Sequence, residues 1–374
     1  MKLPRHYKLE KHIKQNKVLI IFGPRQVGKT TLLKDYLATS NLKYKLDSGD
    51  NIETRQILGS QDFTILKEYA QGYNILAIDE AQKIPNIGTG LKILIDQIPG
   101  ISIIATGSSS FELAGQVGEP LTGRKNTITL YPIAQLELVE IYNPSELRAQ
   151  LDERLIFGNY PEIITSKTKQ EKMRLLEELV HSYLLKDILE LERVKSSKIL
   201  LDLLRLLAFQ VGNEVSLSEI AQKLGIDYKT VGRYLDLFEK AFVICNVRGY
   251  SKNLRNEISR KSKYYFFDNG ILNAIISNFN PINLRNDQGG LWENFVFMER
   301  LKKRAYKEIF ANQYFWRTHT QKEVDLVEER EGKLFGYEFK WGNTTAKAPK
   351  LWLNTYPEAS YEVINPQNYL PFVL

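Results

Sequence analysis

The feature that most restricts this chain is a short apolar run at 18–22, VLIIF, which breaks into GPRQVGKT at 23–30. It continues into a stretch whose Leu32, Leu33 and Leu37 fall at helical spacing. A buried strand, a glycine turn and an amphipathic helix in that order leave little choice of local fold. The octapeptide fits G-x-x-x-x-G-K-[ST] in the context its chemistry needs, where backbone N–H groups converge at a helix N-terminus. Only glycines let a chain approach phosphate oxygens that closely. Gly23, Pro24, Arg25, Gln26, Val27, Gly28, Lys29, Thr30 and Thr31 are therefore expected around a nucleotide's phosphates. Lys29 would reach the β and γ groups, the Thr30 hydroxyl would ligate Mg²⁺, and the helix dipole would add to the attraction.

A second apolar run, ILAI at 75–78, ends in Asp79 and Glu80. Asp79 would hold Mg²⁺ through water, and Glu80 would polarise an attacking water. ATP and Mg²⁺ are thus the expected cofactors, with hydrolysis the expected reaction. Thr106, after the run at 101–105, would stand beside the γ-phosphate as a sensor. Arg124, after Gly123, is the candidate finger arginine, acting in cis or from a neighbouring subunit. Plainer readings are a strand-to-loop turn for Thr106 and a surface side chain for Arg124.

A chain of 374 residues exceeds what one core organises, so two or three domains are expected. No run of about 18 apolar residues is present to span a bilayer, so no membrane partner is expected. Residues 1–17 lack an apolar signal region and Cys245 has no disulfide mate, which together suggest a cytoplasmic address. Lys and Arg exceed Asp and Glu by 51 − 44 = 7, with a pI near 9.1, which favours a polyanionic partner. Strand-like runs at 75–78, 101–105 and 127–130, with a helical candidate at 90–98, imply a parallel α/β layer. Residues 136–141, 146–157 and 170–191 read as helical. The expected domains are 1–140, a helical lid at 141–199, a helical unit with a hairpin at 200–284, and an α/β block at 285–374.

The stretches GPRQVGKTTL, ILAIDEAQ, ATGSSS, LTGR with LYPIAQLEL, YYFFDNGI, LWENFVFMERL, YFWR, and EVDLV with YEFKW occur in order along most of the chain. In these the sequence resembles the AAA+-like ATPases of archaea and bacteria that carry a C-terminal domain of uncharacterised function with a restriction-endonuclease-like core. The resemblance implies an α/β protein. Its parts would be an N-terminal P-loop AAA+-like parallel sheet, a central helical lid and winged helix, and a C-terminal α/β restriction-endonuclease-like domain.

The residues of the last two parts can be read on their own. At 217–227 a short helix, a glycine turn and a cap are expected, with Ser218 and Asp227 as N-caps. A second helix over 229–240 would place Val231, Leu235 and Phe238 inward and offer Lys229, Thr230, Arg233 and Tyr234 to a DNA major groove. The hairpin of 243–250 and 263–267 carries Arg248 and encloses Lys252, Arg255, Arg260, Lys261 and Lys263, which could track phosphates. A winged helix used only for packing or partner contact is the competing reading. Asp268, Asn269 and Gly270 are assigned a turn.

Asp325 lies on a strand-like run at 323–327, and Glu338 and Lys340 on another at 336–341. Positions two apart on a strand face one way, so these three would share a site. Glu293, on a helix over 292–302, would add a carboxylate. In metal-assisted phosphodiester cleavage, Asp325 and Glu338 would ligate metal and Lys340 would orient the water or stabilise charge. A nuclease fold whose charges only pair with one another is the alternative, and neither His181 nor His319 finds a metal-binding role. The leading expectation is an ATPase governing a DNA-facing, nuclease-like C-terminal half. The rivals are an ATP-controlled switch that contacts proteins and a ring motor. The motor would be a homo-oligomer using Arg124 across subunits.

Overall fold

The structure is a computed structural model. It describes residues 2–107, 120–184, 197–251, 262–318, 320–342 and 347–374, the last three of 120–184 as backbone only. The chain forms two compact units. The first comprises residues 5–131 with 240–242, and the second comprises 132–239 and 243–374 with the first four residues.

The first unit is built on strands β1 (Val18–Phe22), β2 (Tyr44–Ser48), β3 (Ile75–Asp79), β4 (Ser102–Thr106) and β5 (Lys125–Thr129). They pair in the order β2-β3-β4-β1-β5, every neighbour parallel. A parallel sheet needs cover on both faces, which is why β1 (VLIIF) is apolar throughout and both β1 and β4 (SIIAT) are buried along their whole length rather than alternating. Helices α1 (Lys29–Thr39), α2 (Ile52–Gly59), α3 (Phe63–Ala70) and α4 (Ile87–Gln97) follow strands or each other along the chain. On one face Val18, Ile20, Leu76, Ile78, Ile103 and Ala105 pack with Leu58, Leu66, Leu91 and Leu94 from the helices. The half-exposed edge strand β2, YKLDS, escaped the sequence reading because it lacks a continuous apolar run. Its neighbours α2 and α3 are capped by Asn51 and Asp62, whose side chains accept two backbone N–H groups each.

In the second unit, the stretch read as helix over 146–157 and 170–191 is broken into short pieces. They include α5 (Leu151–Phe157) and α6 (Lys169–Glu178), the latter running into a π-helical segment at Leu179–Leu184; residues 185–191 lie outside the described residues. Then come α7 (Ser197–Ala208), α8 (Leu217–Leu224), α9 (Tyr228–Lys240), α10 (Asn269–Ile275), α11 (Gln288–Tyr306), α12 (Lys350–Thr355) and α13 (Tyr369–Val373). Strands β6 (Glu214–Val215), β7 (Ile244–Gly249), β8 (Ser262–Phe266), β9 (Asn312–Arg317), β10 (Glu323–Arg330), β11 (Lys333–Phe339) and β12 (Ser360–Ile364) form one mixed sheet ordered β12-β11-β10-β9-β7-β8-β6. The hairpin β7–β8, read from sequence as part of a winged helix, is joined to β9 through Arg248 opposite Tyr314. Glu331 and Gly332, at φ 50° and 75°, make the two-residue turn between β10 and β11. Trp316, Val324, Val327 and Trp352 pack a core against one region of this sheet.

Two local readings are corrected. The cap of α8 is Ser216, not Ser218, because the helix begins at Leu217, two residues earlier than a Ser218 cap implies, and Ser216 accepts the Glu219 N–H. Asp268 is not a turn residue. It caps α10 through the Gly270 and Ile271 N–H groups and also accepts the Asn159 N–H at 2.7 Å, and burial raises its carboxyl to about 6. Asp227 does serve as expected, accepting the Lys229 N–H at 2.8 Å. Among the described residues, no helix is long and apolar enough to cross a membrane.

Candidate functional site

The turn after β1 can exist only because of its glycines. Gly23 sits at φ +146°, and a Cβ there would lie 2.1 Å from the Leu130 carbonyl oxygen; Gly28 sits at φ +94° just before α1. Lys29 is buried and donates to the carbonyls of Gly23 at 2.8 Å and Pro24 at 2.7 Å, so its charge is fixed inside the loop. Pro24 and Val27 are buried, Arg25 and Gly28 half-buried, and Gln26 and Thr31 exposed. Arg5 carried no signal in the sequence. It donates to the carbonyls of Val27 and, at 3.0 Å, Tyr131, and so ties the loop to the chain beyond β5.

Inserting β4 between β1 and β3 brings two predicted residues, Thr30 and Thr106, onto the Asp79 carboxylate. The Thr30 hydroxyl donates to Asp79 at 2.9 Å, and the Thr106 hydroxyl donates to the same carboxylate at 2.5 Å while accepting the Glu80 N–H at 3.1 Å. Thr106 is fully buried. Glu80 turns left-handed at φ 51° and accepts from Gln82 at 2.7 Å. Gly49 was not anticipated. Its N–H donates to Asp79 O at 2.8 Å, and a Cβ there would stand 2.2 Å from Glu80 O, so the strand end admits only glycine beside it. These donors suit a magnesium nucleotide. The loop N–H groups and Lys29 would hold phosphates, and Thr30 with Asp79 would hold the ion, which would neutralise charge on the phosphates.

Arg124 is not brought to this site. Its carbonyl accepts the Val18 N–H at 2.8 Å, which places it beside the start of β1, whereas the phosphate loop follows the end of β1. The four intervening steps of about 3.3 Å put it roughly 13 Å away, beyond one side chain's reach. Its guanidinium pairs instead with Asp96 at 2.7 Å, so the in-cis finger role is overturned by strand direction. Ser108 and Ser109 lie outside the described residues.

The acidic set of the second unit does converge. Glu338, whose Oε1 lies 2.6 Å from Lys340, is raised to about 7 by burial and by the nearby Asp325 carboxylate. Asp325 is raised by its burial and by Glu293, and it accepts the Phe339 N–H at 2.8 Å. Lys340 lies one residue past the end of β11 rather than on it. Two members were missed. Glu323 was not singled out, and Lys263 had been assigned to phosphate tracking. That assignment is wrong, because Lys263 is fully buried and pairs with Glu293, Glu323 and Asp325. Tyr265 joins them, donating to Glu293 at 2.6 Å. No sequence signal marked Lys263 as inward, since β8 is buried on both faces after its first residue.

Of the residues proposed to meet DNA, Lys229, Arg233 and Arg248 are exposed and Thr230 is half-buried. Tyr234 is buried in the helix core and cannot face a groove. Lys252, Arg255, Arg260 and Lys261 lie outside the described residues, as does His319. Among the described residues, no three His, Cys, Asp or Glu side chains are disposed to hold a metal ion.

Residues 15–139 match the model of an AAA domain, and 148–282 and 288–368 match two domains of unknown function, DUF8612 and DUF4143. An uncharacterised protein of Mycobacterium tuberculosis is 26% identical over 340 residues, covering 90% of this chain and 73% of its own. One from Methanocaldococcus jannaschii is 26% identical over 340 residues, covering 85% and 73%, and one from Haemophilus influenzae is 26% identical over 320 residues, covering 76% and 74%. A crystal structure of a Signal Transduction ATPase with Numerous Domains protein with a tetratricopeptide repeat sensor, from Pyrococcus horikoshii, aligns at 15% identity and a TM-score of 0.28; the alignment covers 79% of this chain and 46% of that one. The AAA-domain match over 15–139 falls on the sheet that brings Thr30 to Asp79 beside Lys29, so the first unit resembles a P-loop AAA domain.

Proposed function

We propose that the protein binds Mg²⁺ and ATP in the first unit, hydrolyses the nucleotide, and uses turnover to govern how the second unit engages DNA. The observation that carries the first part is the shared Asp79 carboxylate, held by Thr30 from the phosphate loop and by Thr106 from β4. Thr30 and Asp79 would fix the ion, Lys29 would counter phosphate charge, and Glu80 would orient the attacking water. Thr106 links the Asp79 side chain to the Glu80 backbone, so a shift at one is felt at the other. ATP turnover should vanish in Lys29→Ala while the protein stays folded by circular dichroism. Undiminished turnover in that variant would sink the assignment.

The DNA part rests on α9, where Lys229 and Arg233, one helical turn apart, are both exposed, and on exposed Arg248 of β7. Duplex DNA affinity that falls steeply with salt supports phosphate contacts. A second reading, an ATP-controlled switch whose second unit contacts proteins, is favoured by the burial of Lys263 among the carboxylates a nuclease would need. Absence of DNA affinity at moderate salt would select that reading.

A further inference from the structure

The acidic centre of the second unit already contains a cation. The Lys263 ammonium, fully buried on β8, lies 3.2 Å from Glu293 Oε1 and 3.8 Å from Asp325 Oδ1 and is in contact with Glu323. Three carboxylates, one from α11 and two from β10, surround the buried ammonium. We propose that Lys263 is the resident cation of this centre and closes it to divalent metal, so that the nuclease-like set serves as an ionic pin. This inference goes beyond the nucleotide reading and does not depend on it.

The geometry leaves little room for an ion beside the ammonium. Mg²⁺ draws carboxylate oxygens to about 2.0–2.1 Å, which would place it on Asp325 and Glu293 in the space Lys263 fills. Two buried cations at such separation repel strongly. One oxygen of each of these carboxylates is also engaged, while Glu338 Oε2 is buried without a hydrogen-bond partner among the described residues. Tyr265 donates to Glu293 Oε1 at 2.6 Å, the Phe339 N–H donates to Asp325 Oδ2 at 2.8 Å, and Lys340 stands 2.6 Å from Glu338 Oε1. Glu323 is shared with Arg317 at 3.6 Å. On another side the backbone of Gly212 presses on Glu293, where a Cβ would fall 2.6 Å from Oε2. Each carboxylate therefore has a cation or a fixed donor from the protein. Lys263 thereby joins β8 to α11 and β10, elements far apart in sequence.

The test counts bound Mn²⁺ by electron paramagnetic resonance on the full chain without nucleotide. Wild type and Asp325→Asn should bind the same amount of Mn²⁺. Lys263→Met should gain one site at least ten-fold tighter than background surface binding, and Lys263→Met with Asp325→Asn should lose it. A wild-type site that Asp325→Asn abolishes overturns the proposal, as does a folded Lys263→Met protein that gains none. Removing the ammonium leaves buried carboxylates uncompensated. Should Lys263→Met fail to fold, the comparison of wild type with Asp325→Asn decides the matter alone. ATP turnover measured on the same wild-type sample reports on the first unit, so a failure there is separable from a failure here.

Discussion

The Thr106 hydroxyl donates to the Asp79 carboxylate at 2.5 Å and accepts the Glu80 N–H at 3.1 Å, so one buried side chain couples the two positions proposed to bind the metal and orient the water. Hydrogen bonds to charged groups contribute about 1.5–3 kcal/mol. Thr106→Val, which keeps the shape and removes the hydroxyl, should lower kcat for ATP by roughly 10- to 100-fold. Affinity for ATP should change much less, and equal losses in both would place Thr106 in binding alone.

Glu80→Gln retains volume and the Gln82 neighbour but cannot act as a base. Turnover should fall by roughly 10²- to 10⁴-fold with nucleotide binding intact. Single-turnover kinetics beside equilibrium binding check this, and a near-normal single-turnover rate would remove Glu80 from the chemistry.

At Gly23 a methyl group would collide with the Leu130 carbonyl, 2.1 Å from the ideal Cβ, on a backbone at φ +146°. Gly23→Ala should therefore shift the loop, abolish measurable ATP binding and cost at least about 1–3 kcal/mol from backbone strain. Calorimetric titration with ATP and a urea melt report the two effects separately.

Arg300 grips Glu328 through two hydrogen bonds of 2.8 Å and also donates to Phe372 O at 3.0 Å, fastening α11 to β10 and to α13. Breaking such a buried pair costs about 3–5 kcal/mol, so Glu328→Ala should lower stability by that order in urea unfolding. Burial would raise the Glu328 carboxyl, but the Arg300 bonds hold it below its ordinary 4.5. The folded value is thus lower than the unfolded one. The pair's contribution is complete above about 4.5 and is lost as pH falls through the depressed folded value. The stability gap between wild type and Glu328→Gln should accordingly narrow on acidification below 4.5.

Much of the first site was legible because its information is local. A phosphate loop needs its glycines, its lysine and a helix start within eight residues, and an acidic strand end declares itself in ILAIDE. Strand alternation in the sequence also placed Glu338 and Lys340 beside Asp325, while the two-residue turn that sets their register came only with the structure, the sequence suggesting a longer turn at 329–333. Strand order was not written locally. Only the tertiary structure decided that β4 lies between β1 and β3, bringing Thr106 to Asp79, and that β5 runs parallel to β1, leaving Arg124 at the far edge. Lys263 turned on the same kind of long-range choice. From sequence a lysine beside a basic hairpin faces solvent. Pairing β8 into a sheet under α11 buries it, and a buried ammonium is stable only where the fold also delivers Glu293, Glu323 and Asp325.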